Sequence, residues 1–338
     1  MSAEPLLVQE PENLPLSRGY VFSANGVGRR INAQEALTWL THQDSETAGF
    51  VWLHFDDAST VLSGWPTELA KFPPGFGEAL REGLRSTRVE RVHQNLIAVV
   101  NDVDYDFERK GPLKVATLWV SVSVRCLLSV RSLPLRSVDQ LSHEVEAGVI
   151  FPSPMALVIR LLQRQADQLF GIVRSATRTA NEVDMDLRVG KLLRRSSLGG
   201  IRRDLVHLRR LLAPEPAALF RLINRPPRWI RDEDVQSLRQ SAEEFSVALR
   251  DMTSLRERIQ LLEEEIAANV AEHTNRSVLI LTAVTVIALP VNLISGLLGM
   301  NIGGMPFRQS NNGFWLVLLL SSVLTGLSAW LIFRIRHD

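Results

Sequence analysis

SVLILTAVTVIALPVNLISGLL, residues 277–298, is a run of 22 residues without one charged side chain. As a helix it would be about 33 Å long, slightly more than the hydrocarbon core of a bilayer. A second uncharged run, Gly313 to Phe333, follows after a short connection, 299–312. Either run alone could be a buried core helix. Two of spanning length, back to back, predict transmembrane helices over 277–298 and 313–333.

The averages of the whole chain conceal this. The 338 residues have a net charge of +1 and 22% charged side chains, which resembles a soluble protein. Only Arg308, Arg334, Arg336 and Asp338 are charged beyond residue 276, so the charge is packed into the part before it. That composition excludes a disordered chain. The single cysteine, Cys126, excludes an intrachain disulfide and a cysteine-rich zinc site. A net charge near zero gives no support to nucleic acid as a partner.

Orientation follows from the flanks. Arg276 precedes the first run, Arg334 and Arg336 follow the second, and the connection holds only Arg308. The positive-inside rule then puts both termini in the cytoplasm and the loop outside. Trp315 and Trp330 fall where interfacial anchors are expected. The start, MSAEPLLVQEPEN, has no apolar leader. The expected site is the inner membrane of a bacterium.

Residues 1–150 read as a mixed α/β domain. Strands are expected at Gly19–Ala24, Phe50–Phe55, Leu96–Tyr105, Leu113–Val122 and Cys126–Val130, with helices near Ala33–Thr41 and Gly77–Leu84. No phosphate-binding glycine loop or nucleophile elbow is present, so an enzyme is not expected. Residues 151–276 read as helical. One helix starts near Pro154, Gly199–Gly200 punctuates the run, and a second helix covers about Ile201–Leu212. Pro214, Pro216 and Pro226–Pro227 mark breaks. A third begins near Asp232, with no proline or glycine before Pro290, and is expected to run as one stalk into the first span. The basic cluster from Arg188 to Arg210 lacks aromatic interleaving. It reads as a solvated face, near anionic lipid or neighbouring subunits.

The first span carries a polar line. Asn275, Val278, Thr282, Thr285, Leu289, Asn292, Gly296 and Gly299 repeat every 3.5 residues, the period of a helix that faces copies of itself. Several copies would enclose a pore with rings of amide and hydroxyl and apolar constrictions at Val278 and Leu289. The same pattern also suits a helix–helix interface held by threonine and asparagine. Extended backwards, the line passes through Ala271, Ala268, Glu264, Leu261 and Glu257. The two glutamates would attract cations to the inner mouth, or are ordinary exposed charges. Ser321, Thr325 and Ser328 give the second span a small polar face suited to close packing.

Past the first span the sequence reads Gly299-Met300-Asn301, then Ile302-Gly303-Gly304-Met305-Pro306. A Gly-Met-Asn tripeptide between two C-terminal spans, after a long helix and an α/β domain, resembles the CorA family of divalent-metal transporters. Gly303, Gly304 and Pro306 are similar to the zinc-transporter (ZntB) branch, as are Trp52-Leu53-His54, Thr87-Arg88-Val89-Glu90-Arg91 and Arg209-Arg210-Leu211-Leu212-Ala213-Pro214. The resemblance implies a funnel-shaped homopentamer with the first span lining the pore. It implies that Asn301 offers an outer ring of amide oxygens to a hydrated cation, and that Gly299 lets chains approach there. It implies Zn²⁺ as the transported ion, with protons as candidate coupling ions and no resident cofactor. The absence of a glutamate in the loop disfavours Mg²⁺, whereas Met300 is retained as in magnesium-type members. Two alternatives remain open: a Mg²⁺ or Co²⁺ channel of the same family, and a membrane-anchored oligomeric scaffold or sensor.

Overall fold

The computed structural model describes residues 16–41, 49–59, 61, 74–83, 88–104, 114–189, 196–300 and 312–335. The chain divides into two compact units, Met1–Leu262 and Glu263–Asp338.

The first unit is built on a mixed sheet. Its strands are β1 (Arg18–Ser23), β2 (Gly28–Ile31), β3 (Gly49–Phe55), β4 (Arg88–Val92), β5 (Asn95–Asp104), β6 (Lys114–Val122) and β7 (Cys126–Arg131). Their order is β2-β1-β3-β7-β6-β5-β4. Among the described strands only β3 and β7 pair in parallel, with Trp52 opposite Leu127. The β6–β7 hairpin turns at Ser123, whose N–H donates to the Cys126 carbonyl at 2.8 Å.

Both faces of the sheet are covered, which explains the near-continuous apolar sequence of β3. Alternation sends Phe50 and Trp52 to one face and Val51, Leu53 and Phe55 to the other. The second face is covered by α1 (Ala33–Thr41) and α2 (Pro74–Arg81), through Ala36, Leu40, Phe76 and Leu80. The first is covered by α3 (Arg136–Glu146), α4 (Pro154–Arg188), α6 (Pro214–Asn224) and the start of α7 (Asp232–Leu298), through Leu141, Leu157, Leu222 and Leu238. The sheet and the helices after residue 150 therefore share one core.

Several local expectations need correction. Strands β2 and β4 escaped the sequence reading because they are short and charged (GRRI and RVERV), as the two edges of a sheet usually are. Helix α3 was also missed, although Val138, Leu141 and Val145 give it a buried face. Gly199–Gly200 does not interrupt anything: α5 (Ser196–Leu212) runs through both. Pro214 does mark a break, between α5 and α6, and opens α6; Pro216 breaks nothing, because it lies in the first turn of α6, where proline gives up no helical hydrogen bond.

α4 and α7 carry the argument about the site. Ser153 caps α4 by accepting the Ala156 N–H at 3.0 Å, and Pro154 follows at the first helical position. α7 opens with Asp232, Glu233 and Asp234, which complement its positive end, and continues for 67 residues through Pro290. Leu238, Phe245, Met252, Leu255, Ile259 and Leu262 form its buried stripe. In the second unit, α7 beyond Leu262 is followed by α8 (Gly313–Ile335). Both helices are long and apolar enough to cross a membrane, and none of the most apolar part of α7 is buried.

Candidate ion pathway

Asn275, Val278, Thr282, Thr285, Leu289, Asn292 and Gly296 are all exposed on α7. Their line can be compared with the rest of the helix. Ala283, Ile287, Pro290 and Ile294 are half-covered and repeat at i, i+4, i+7 and i+11; Ala288 is the one half-covered residue off that line. At 3.6 residues per turn the half-covered line lies roughly 150° round the helix from the polar one. On α8 the half-covered residues include Val317, Ser321, Thr325 and Ser328, the small polar face expected to pack closely. The polar line of α7 is thus not the side through which the helix packs within its own chain.

The threonines are committed in a particular way. Thr282 Oγ1 donates to the Val278 carbonyl and Thr285 Oγ1 to the Leu281 carbonyl, both at 2.8 Å. Each hydroxyl hydrogen is used inside the helix, so what faces outwards is oxygen lone pairs. Those lone pairs can accept from a neighbouring helix or face a cation. At Gly296 a Cβ would meet nothing within 4 Å, so no packing within the chain requires glycine there. Gly299 has a local reason: its N–H closes the helix on Ser295 O at 2.9 Å, and a Cβ would sit 3.0 Å from that oxygen.

Further back, Glu257 and Glu264 are exposed, as is Leu261 between them. They lie on the opposite side of α7 from the stripe Met252, Leu255, Ile259 and Leu262. His273 is exposed too and lies off the polar line, on the far side of the helix. Met300 is partly exposed at the end of the described helix region. Asn301, Gly303, Gly304, Pro306 and Arg308 lie outside the described residues.

Two buried polar clusters in the first unit were not foreseen. In one, Ser129 Oγ accepts from Trp52 Nε1 and meets His54 Nδ1, each at 2.8 Å. His54 Nε2 is 3.6 Å from Asp56 Oδ1, and Arg131 holds the same carboxylate at 2.5 Å. Burial pushes the His54 imidazole below its ordinary value, while that imidazole and then Arg131 hold Asp56 well below the usual carboxylate range. Serine, histidine and aspartate in series resemble a hydrolase triad. Ser129 and His54 are fully buried within the sheet, however, so no substrate can reach the hydroxyl. In the other cluster, Gln165 Nε2 lies 3.2 Å from both oxygens of Glu215, and the Asn101 N–H donates to Glu215 at 3.3 Å. This ties α4 and α6 to β5. Sequence offered a weak signal for the first cluster, a histidine inside an apolar strand, and none for the second. Among the described residues no group of three or more His, Cys, Asp or Glu is placed to hold a metal ion.

Residues 47–334 match the profile of the family described as CorA-like Mg²⁺ transporter protein. The chain belongs to that family. The divalent cation transporter CmaX of Pseudomonas aeruginosa is 26% identical, over 94% of this chain and 95% of that protein. The zinc transport protein ZntB of Pectobacterium carotovorum is 22% identical, over 82% of this chain and 85% of that one. The solved structure of full-length CmaX has the same fold, with a TM-score of 0.81 and 24% identity. It covers 96% of this chain and 99% of that one.

Proposed function

We propose that the protein is a divalent metal cation transporter of the bacterial inner membrane, with Zn²⁺ its main ion. One observation carries this reading: the polar line of α7, Thr282, Thr285 and Asn292, is exposed and turned away from the half-covered side of the helix. Five such helices in a homopentamer would bring the line together as a pore. Asn301, with Gly299 and Met300, would first meet the hydrated ion. Neutral oxygens suit an ion that keeps its water. Val278 and Leu289 would be the narrow apolar rings. Glu257 and Glu264 would raise the local cation concentration at the inner mouth.

The spans hold no thiolate or imidazole between Ser277 and Leu298, so zinc would cross with much of its water. Family membership and the relatives CmaX and ZntB support divalent cation transport, and the loop without an acid supports zinc over magnesium. A magnesium reading is favoured by Met300, which completes the Gly-Met-Asn tripeptide. Uptake would be driven by the membrane potential, worth roughly 2.3 kcal/mol per charge per 100 mV, or by protons entering alongside.

The test is Asn301→Ala in proteoliposomes. The expected result is loss of at least about 90% of Zn²⁺ flux, equivalent to about 1.4 kcal/mol of barrier, with the oligomer unchanged on gel filtration. Undiminished flux would remove the tripeptide from the mechanism.

A further inference from the structure

Within the first unit, helix α7 buries one side and leaves the other bare. Phe245, Ala248, Met252, Leu255 and Ile259 are buried, whereas Val247, Arg250, Asp251, Ser254 and Leu261 are exposed. Counted along the sequence, Val247, Arg250, Ser254, Glu257 and Leu261 keep the alternate spacing of three and four that marks the polar line. Val247 and Leu261 are aliphatic, yet 44% and 65% exposed on a face that is otherwise polar.

Arg250 and Asp251 say what that face meets. On a helix, an ion partner comes from three or four residues away. For Arg250 those positions hold Ser246, Val247, Thr253 and Ser254; for Asp251 they hold Val247, Ala248, Ser254 and Leu255. None carries the opposite charge. Nor can the two neutralise each other, because consecutive side chains leave a helix about 100° apart. No other element supplies an ion partner to either among the described residues, although Arg258, two turns on, reaches Asp184 at 3.0 Å. A cation and an anion therefore diverge from one level of the helix, each open on its own flank of the exposed face.

That layout is complementary to itself. In a ring of parallel copies, each helix turns one flank to the copy before it and the other to the copy after it, at the same height. Arg250 and Asp251 differ in height by only about 1.5 Å. In a five-fold ring the directions to the two neighbours are about 108° apart, close to the angle between these side chains. The direction midway between them is that of Val247 and Ser254, which would face the centre. An unrelated acidic or basic partner would meet one member of the pair and leave the other unmatched.

We propose that Arg250 of each copy pairs with Asp251 of the next, so that a closed ring of ion pairs joins the copies along the exposed face of α7. The occupant of that face is a second copy of this chain. The inference rests on the proposed homopentamer, whose copies stand parallel because all enter the membrane in the same sense.

The experiment uses the full-length chain in detergent, with Cys126→Ser as background. Copies carrying Arg250→Cys and copies carrying Asp251→Cys are co-expressed and mildly oxidised. The mixture is expected to give at least about threefold more disulfide-linked dimer than either variant alone, because only Cβ atoms that lie close together can be bridged. Charge is tested separately, by gel filtration on dilution. Arg250→Asp should raise the concentration at which the oligomer dissociates at least about tenfold, and Arg250→Asp/Asp251→Arg should restore it. A pentamer without the excess of mixed dimer, or a charge swap that restores nothing, would overturn this proposal alone. A chain that is not pentameric before any substitution would overturn the proposed assembly as well.

Discussion

One helix, α7, answers two different solvents. Over Asp232–Leu262 its apolar residues keep to one stripe, and Phe245, Ile259 and their neighbours are buried by the rest of the first unit. Over Ser277–Leu298 apolar residues surround the helix, and the most apolar part is not buried at all. Backbone geometry is the same in both. The difference is in what satisfies the side chains. In the first stretch the chain supplies its own apolar surroundings. In the second they must come from outside it, and the proposed function assigns lipid to most sides and copies of the chain to the polar line.

The contrast can be broken most severely through stability. Phe245→Ala should destabilise the first unit by about 3–5 kcal/mol, read as a lowered melting temperature of the purified protein. Leu281→Ala, on a 68% exposed leucine of the second stretch of α7, should change it by no more than about 0.5 kcal/mol in detergent. Equal losses would mean that the second stretch is packed by its own chain after all.

The polar line is sharpened by transport. Asn292→Leu should lower Zn²⁺ flux about tenfold, close to 1.4 kcal/mol of barrier, while Ser295→Leu, one turn on but off the line, should change it less than about twofold. Equal effects would dissolve the register on which the pore reading depends.

The smallest effect concerns the buried histidine. The folded chain holds His54 below its ordinary value of 6.5, so it binds fewer protons than the unfolded chain once the pH falls through that value. Stability is therefore fully present above pH 6.5 and declines below it, until the folded imidazole is itself protonated. Denaturation measured across this range should show a shallower acid slope for His54→Asn than for the unmodified chain. Identical slopes would mean that the imidazole does not titrate against the fold.

Much of this architecture is legible in sequence because its signals are local. α7 could be read from the absence of glycine and proline together with a three-four stripe, and β3, β5, β6 and β7 from apolar runs. The polar line is legible for the same reason, since 3.5-residue spacing is a property of one segment. What escaped reading depends on contacts between distant residues. β2 and β4 are strands only because neighbouring strands pair with them. His54 looks like a stray polar residue until Ser129, 75 positions away, is placed beside it. Pro216 was misread for a different reason, because proline in the first turn of a helix leaves that turn intact.

Metal uptake by the purified full-length chain in proteoliposomes tests the central claim most directly. Zn²⁺ and Mg²⁺ would be offered separately under an inside-negative potential, with and without an inward proton gradient. The account predicts saturable Zn²⁺ entry well above that of protein-free vesicles and above that of Mg²⁺. Uptake of neither ion above the protein-free level would contradict transport along α7, and uptake of Mg²⁺ alone would contradict the assignment to zinc.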